Sequence, residues 1–438
     1  MREKLLKTGM GCFVFASGVG VANTLLLPYA RAPFGYPVWG TWAAYAAALL
    51  LFCLAGRAVS VLEDEKAARL ARVIAPTFIA CLFAAHLLMG YLLEYTPAGD
   101  NFMLYNGSQM LAADGNFDRY TDFYLYLSRY SNQWGFMLML TGFYKLLFAL
   151  GVTQTFFPLA LTQAVLYIFG VRAILRIAER LSGAKGRLMT MLMLACCLPL
   201  WLAAAVLYTD TFSLPFIAMA LDLALRVKDA ANPRARFALS ARCSLVVLIG
   251  CQIKMTALIA LIAAAIVWLL TMKPRQSVVC ILLSAALVGG GTAVVQRYMK
   301  YEVLDPAMVE QHHTPTIHWI MMSIPTGDNP YGGATGDYGI PWGMMEDGAS
   351  RTDIMDSIYA RMKDRIYALR YPNRLAEAAL RKNSAFIGDG TFGMTEMLDD
   401  GPVRENVISA FVLEGRPFYK VYSAVCTGIW MAQWMCVP

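Results

Sequence analysis

Long stretches of apolar residues recur along this 438-residue chain, and several approach the roughly 20 residues needed to cross a bilayer. The composition agrees, because only 15% of the residues are charged, whereas ordinary soluble domains carry roughly 25%. A membrane β-barrel would instead show alternating apolar and polar residues in segments of about 10. We therefore predict an all-α fold, a polytopic helical membrane protein.

The apolar stretches predict about ten spans, if a pair of short helices separated by a break is counted as two. The predicted spans are residues 9–29, 38–56, 73–94, 155–173, 188–207, 211–226, 243–253 with 256–271, 277–296 and 418–436. The start of the chain, MREKLLKTG, resembles a signal peptide but lacks a convincing cleavage site, so we expect it to remain as the first helix.

Clusters of Lys and Arg lie between these spans, and the positive-inside rule assigns them to the cytoplasm. The net charge of +7 lies in these clusters, so nucleic acid is not an expected partner. Residues 134–150 are also apolar, but a span there would place the basic residues 172–187 outside. We therefore predict that 134–150 lies in the interface. Residues 95–154, 208–211 and 297–417 then face outward, together with the turn near Lys254.

The large polar segment 297–417 divides by composition. Its first half, 305–353, is rich in Gly, Pro and aromatic residues and predicts ordered loops and turns. Residues 353–381 carry apolar residues at helical spacing and predict one amphipathic helix on the membrane surface. We expect four parts: a two-span N-terminal extension (1–72), a transmembrane core (73–296) with a first outer loop (95–154), a large outer loop (297–417) and a last span (418–438).

Asp100 lies just past the predicted span 73–94, and a carboxylate at such an edge is read as functional by default. It opens the run GDNFMLYNGSQMLAADGNFDRY, in which apolar and polar positions mix over about three helical turns. A carboxylate there can act as a general base for an incoming hydroxyl. The alternative is a helix N-cap, since Asp is a preferred capping residue.

Two further charged residues interrupt apolar sequence on the same side. Asp210 in LYTDTF lies in a very short outer loop, where it could assist catalysis or hold a cation, although capping the next helix is slightly favoured. Lys254 in GCQIKMTALIAL breaks an apolar pair of helices. A buried cation needs a partner, and we favour an anion such as phosphate over an internal salt bridge to Asp210 or Asp100.

Three histidines occur together in EQHHTPTIHWIMMS. His312 and His318 lack the i, i+4 spacing of a helical zinc pair, and no Cys is near, so we expect no metal at this cluster. Hydrogen bonding of His313 or His318 to phosphate or sugar is the favoured interpretation. Ten cysteines, mostly inside apolar stretches, form no metal or disulfide pattern.

The order and sidedness of these segments resemble the GT-C superfamily of membrane glycosyltransferases, nearest to its polyprenyl-phosphate-sugar-dependent, protein-mannosyltransferase-like bacterial members. The resemblance covers most of residues 73–434. It is carried by GDNFMLYNGSQMLAADGNFDRY after a span, the interfacial segment 134–150, the short loop with Asp210, QIKMTALIALIAA, PTIHWIMMS, GDYG and RKNSAFIGDGTFGM.

The resemblance implies an enzyme of the bacterial cell membrane with its active face extracytoplasmic. Such enzymes move a sugar from a polyprenyl-phosphate carrier to a glycan, lipid or protein acceptor, usually with inversion. Some branches use a divalent cation and others do not, so metal dependence stays open. Asp100 would be the base. The residues expected to bind substrate are Asp210, Lys254, His318, His313, Tyr105 and Asp337, with Lys254 and His318 holding the lipid phosphate.

The chain departs from this superfamily at both ends. Two spans precede the usual first catalytic span, and one span follows the large loop where relatives generally carry more, so we expect a truncated or divergent C-terminal end. Two other functions stay open. A transporter or flippase of lipid-linked sugars would often show inverted repeats, and none is found here. A non-catalytic membrane subunit is the other.

Overall fold

A computed structural model describes residues 2–26, 38–97, 99–116, 122–325, 337, 339–394 and 405–436. Within these ranges the chain is helical and contains no β-strand, which confirms the predicted all-α class. The helices are α1 Arg2–Leu26, α2 Val38–Ser60, α3 Asp64–Leu92, α4 Gly99–Asp114, α5 Asp122–Arg129, α6 Trp134–Ala149, α7 Phe156–Cys196, α8 Leu198–Leu202, α9 Thr209–Asp229, α10 Pro233–Ile253, α11 Leu258–Thr271, α12 Pro274–Tyr298, α13 Pro306–His312, α14 Thr316–Ser323, α15 Ile340–Glu346, α16 Arg351–Ala368, α17 Pro372–Gly388, α18 Val407–Val412 and α19 Tyr419–Met435.

Six helices in the described ranges are long and apolar enough to cross a membrane. They are found in Lys7–Leu25, Trp39–Ser60, Asp64–Leu92, Phe156–Cys196, Pro233–Ile253 and Pro274–Val303. A seventh is added if α8 and α9, which meet at a bend of 116°, form one broken span. The helical membrane character is therefore confirmed. The count of about ten stays a prediction, because α11 is apolar but short and α19 has only 17 residues.

The 41-residue helix α7 is a hairpin of two helices folded at Gly183. Gly183 has φ 67° and ψ −165°, a backbone conformation essentially restricted to glycine. The fold-back shows in a contact across the hairpin: the Gln163 side-chain amide donates to the carbonyl oxygens of Ala203 at 2.8 Å and Val206 at 3.1 Å. A continuous helix would hold those segments tens of ångströms apart. The predicted division into 155–173 and 188–207 follows this reversal, although α7 itself ends at Cys196.

Helices α10 and α12 run parallel, in a fixed register of 40 residues. Side-chain hydrogen bonds join pairs of that separation at four levels: Arg236 with Gln276, Ser240 with the carbonyl of Cys280, Ser244 with Ser284, and Gln252 with Thr292. The serines let the helices approach closely, as small residues do in membrane helix interfaces. Since the two helices are parallel, the intervening α11 returns the chain across the bundle.

Two predicted boundaries are wrong. The span predicted at 243–253 begins ten residues earlier as α10, because Asn232 caps the helix by accepting from the Ala235 amide and Pro233 occupies its first turn. The single amphipathic helix predicted at 353–381 is instead α16 followed by α17. Pro372 at the start of α17 explains the break, since proline cannot continue a helix but is tolerated in its first turn.

The predicted interfacial segment corresponds to α6, which has 16 residues. One face of α6 packs against α4 and is buried. A helix of this length is short for a span, and its interfacial location stays a prediction.

Helix α2 packs along α19, where Gly428 lies so close to Thr41 and Ala44 that a side chain would not fit.

Replacing Gly183 with Ala should destabilise the hairpin, because a Cβ is strained at this φ and ψ. We expect a loss of about 1–3 kcal/mol in the free energy of unfolding, seen as a lower midpoint of thermal unfolding in detergent. Gly289→Ala in α12 is the matched control, since an added Cβ there meets open space. Equal midpoints for wild type and Gly183→Ala would contradict this account of the fold-back.

Candidate functional site

The break between α10 and α11 exposes Lys254 at one end of the bundle. Lys254 has extended backbone (φ −150°, ψ 126°), and a short 3₁₀ turn, Met255–Ala257, leads into α11. The chain therefore leaves the helix at the predicted position. The Lys254 ammonium forms an ion pair with the Asp210 carboxylate, and both side chains are partly exposed. The internal salt bridge, which the sequence left as the less favoured alternative, is what the structure contains.

Asp210 does not cap α9, although capping was the slightly favoured interpretation. Tyr208 occupies the N-cap position, and the backbone amide of Tyr208 donates a hydrogen bond to the Thr211 hydroxyl. Asp210 lies in the first turn of α9 and its carboxylate points to Lys254. The ring of Tyr208 lies 5.4 Å from the Lys254 ammonium, a distance typical of a cation–π contact.

Asp100 joins this pair from α4. It is the second residue of that helix and is partly buried. Burial raises the pKa of the Asp100 carboxyl above its usual range, while the nearby Tyr126 side chain and the charge of Lys254 lower it. The structure therefore brings together three of the predicted residues, Asp100, Asp210 and Lys254. Two carboxylates, one ammonium and a tyrosine hydroxyl form what we call the Asp100 site.

Buried hydrogen bonds behind the Asp100 site hold the loop before α9. The Tyr105 hydroxyl donates to the Leu207 carbonyl at 2.6 Å, and Gln163 holds Ala203 and Val206 from the other side. Tyr105 is 2% exposed. The structure thus places this predicted substrate-binding residue in the packing that supports Asp210, and its predicted role stays untested.

His313 lies at a separate cavity of about 580 Å³. Its Nε2 atom is 2.8 Å from the Ser131 hydroxyl, and the cavity is also lined by Arg297, Lys300 and Arg351. Burial, helped by the charges of Arg351 and Lys300, lowers the pKa of the His313 ring. His313 is therefore a neutral hydrogen-bonding group at pH 7 in a basic pocket.

His318 and Asp337 lie beneath α16. Asp337 forms an ion pair with Arg365 at 2.5 Å, and His318 is buried in the same region. Burial lowers the pKa of His318. Within the described ranges, neither ring nitrogen of His318 has a hydrogen-bond partner, and the charges that act on its ring are those of Asp337 and Arg365. The expected sharing of one phosphate by Lys254 and His318 stays a prediction.

Sequence reasoning missed Tyr126 and Arg351. Tyr126 is one of several tyrosines between residues 120 and 130, and only the packing of α5 against α4 brings it near Asp100. Arg351 lies two residues before the predicted amphipathic helix 353–381; it is the first residue of α16, and its side chain donates to the carbonyl oxygens of Glu310 and His313. In the described part of the chain, no group of three or more His, Cys, Asp or Glu side chains is placed to hold a metal ion.

Comparison with known families supports the membrane assignment. Residues 121–338 match a family model described as a conserved hypothetical integral membrane protein. The match runs from just before α5 to just beyond Asp337, so it includes Tyr126, Asp210 and Lys254 but not Asp100. No curated protein and no solved structure matches the chain. Together with the six apolar helices, this similarity indicates an integral membrane protein in contact with the lipid bilayer.

The Tyr126 side chain beside Asp100 predicts a measurable shift in the titration of the Asp100 carboxyl. Tyr126→Phe removes a group that lowers the pKa of Asp100, so the carboxyl should stay protonated to higher pH than in the wild type; Lys254→Gln should act in the same direction. The measurement is infrared titration of the carboxyl band that disappears in Asp100→Asn. Tyr359→Phe, an exposed tyrosine on α16, is the control. A midpoint unchanged by Tyr126→Phe would contradict this geometry.

Proposed function

We propose that this protein is a membrane glycosyltransferase that moves a sugar from a polyprenyl-phosphate carrier to an acceptor hydroxyl on the outer face of a bacterial cell membrane. The observation that carries the proposal is the Asp100 site: a half-buried carboxylate of raised pKa that lies near Tyr126 and near a lysine at a helix break. Perturbed titratable groups that converge in this way are typical of functional sites.

Asp100 is the general base of the proposed reaction. Its carboxylate accepts the proton of the acceptor hydroxyl while that oxygen bonds to the anomeric carbon of the sugar. The bond from the anomeric carbon to the phosphate oxygen breaks, and the electron pair leaves with the polyprenyl phosphate. One displacement of this kind inverts the anomeric centre. The raised pKa of Asp100 strengthens it as a base, because proton transfer is most effective when the pKa of the base lies near the working pH.

Lys254 supplies positive charge for the departing phosphate. Its side chain follows the end of α10 and is 31% exposed, and its ammonium is paired with Asp210. A phosphate that reaches this end of the bundle can share the ammonium, since Lys carries three donors and binds phosphate as a point charge. Asp210 then positions Lys254 before the donor arrives. Stabilising charge on the leaving group is the electrostatic part of the rate enhancement.

No step of this reaction requires a metal ion. Asp100 and Asp210 are the carboxylates at the site, and the Lys254 ammonium already balances the charge of Asp210. Mg²⁺ at a substrate phosphate commonly uses only one or two protein carboxylates, so metal dependence stays open. The displacement above uses only residues of this chain.

Asp100→Asn should abolish transfer, because the amide cannot accept the proton. We expect a loss of roughly 100- to 10,000-fold in rate, with the variant still inserted and folded. The measurement is release of free polyprenyl phosphate by purified protein incubated with a panel of polyprenyl-phosphate sugars and acceptors. Asp114→Asn is the matched control, since Asp114 is an exposed carboxylate at the end of the same helix.

Three outcomes would contradict the proposal in different ways. Full transfer by Asp100→Asn would remove Asp100 as the base but keep the enzyme. Movement of the carrier across vesicles by wild type, with no sugar transfer, would indicate a flippase. Absence of both transfer and carrier movement in wild type, and equally in a triple variant of Asp100, Asp210 and Lys254, would indicate a non-catalytic membrane subunit.

A further inference from the structure

A second cavity, of about 620 Å³, lies between the first turns of α10 and α12, at the opposite end of α10 from Lys254. Among the residues that the structure describes, three arginines line it, namely Arg234, Arg236 and Arg275, and no acidic residue does so. The rest of its wall includes the apolar side chains of Phe237 and Val279, both largely exposed. A basic rim above an apolar wall matches the two parts of a phospholipid.

Arg236 is held by hydrogen bonds within the protein and forms part of the wall of this cavity. Its guanidinium donates to the Gln276 side chain at 2.6 Å and to the carbonyl oxygens of Ala230 at 2.6 Å and Val227 at 3.4 Å. Those bonds tie the start of α10 to the start of α12 and to the end of α9. The cavity wall is therefore built by the packing of three helices rather than by mobile surface side chains.

Arg234 and Arg275 differ from Arg236 because their side chains are exposed at the mouth of the cavity. Within the described ranges, neither Arg234 nor Arg275 forms a salt bridge. Both lie one residue after a proline that begins a helix, so the positive ends of two parallel helix dipoles point to the same place.

We propose that this cavity binds one anionic phospholipid from the surrounding leaflet. Arg234 and Arg275 bind the headgroup phosphate, and an acyl chain lies along Phe237 and Val279. Both helices are long and apolar enough to cross the membrane, so the cavity opens to lipid rather than to bulk water below its rim. Basic pockets between membrane helices are a recurring way to recognise anionic headgroups. This inference is independent of the proposed glycosyl transfer.

The test compares lipid retention by native mass spectrometry, with the protein released from vesicles of equal phosphatidylglycerol and phosphatidylcholine. Wild type should keep one phosphatidylglycerol molecule in preference to phosphatidylcholine. The double variant Arg234→Gln, Arg275→Gln should lose roughly tenfold or more of that preference, because two basic contacts are removed. Both side chains are exposed, so folding is expected to persist, and unfolding temperature without added lipid checks this.

The matched control is Arg69→Gln with Arg172→Gln, which removes two exposed arginines of the basic clusters from α3 and α7 without touching the cavity. It should retain the lipid as wild type does. Equal retention of both lipids by wild type would overturn the proposal. So would an unchanged preference in the Arg234 and Arg275 variant, or an equal loss in the control, which would indicate general attraction to the leaflet.

Discussion

The ion pair between Lys254 and Asp210 joins the two places where helices of the core are interrupted. One partner follows α10 at the break before α11, and the other lies in the first turn of α9, after the bend from α8. A charge among apolar helices is costly unless it is paired or reaches water. Pairing therefore explains how both interruptions persist beside the apolar core, and it fixes the helix ends around which Asp100 and Tyr126 converge.

Much of this arrangement was readable from residue pattern. A lysine inside GCQIKMTALIAL marks the break of the helix, because that charge cannot continue an apolar span. Asp100, Asp210 and Lys254 were assigned to one side by the basic clusters alone, and the structure brings them together. The partner of Lys254 was predicted less well: an anion such as phosphate was favoured over the Asp210 carboxylate that the structure contains, although either group can pair with an ammonium.

The features that were predicted wrongly or missed depend on tertiary packing or on local sequence signals that were not used. Asn232 and Pro233 mark the start of α10, but the arginines that follow led to the prediction of a cytoplasmic loop there. Likewise, Pro372 interrupts the single amphipathic helix that the spacing of apolar residues predicted. No local signal distinguishes Tyr126 from its aromatic neighbours, because its role depends on how α5 meets α4. His318 and Asp337 lie near one another only through the fold of the segment that follows α12.

The fixed separation between α10 and α12 limits how the length of this chain can change in evolution. Four hydrogen-bonded levels repeat the same spacing of 40 residues, and α11 with its flanking turns fills the interval. An insertion or deletion within α12 would rotate the following residues by about 100° and carry the serine and threonine partners off the shared seam. Length variation among homologous chains is therefore expected in the turns at 254–257 and 272–273, where a residue can be added without turning either helix.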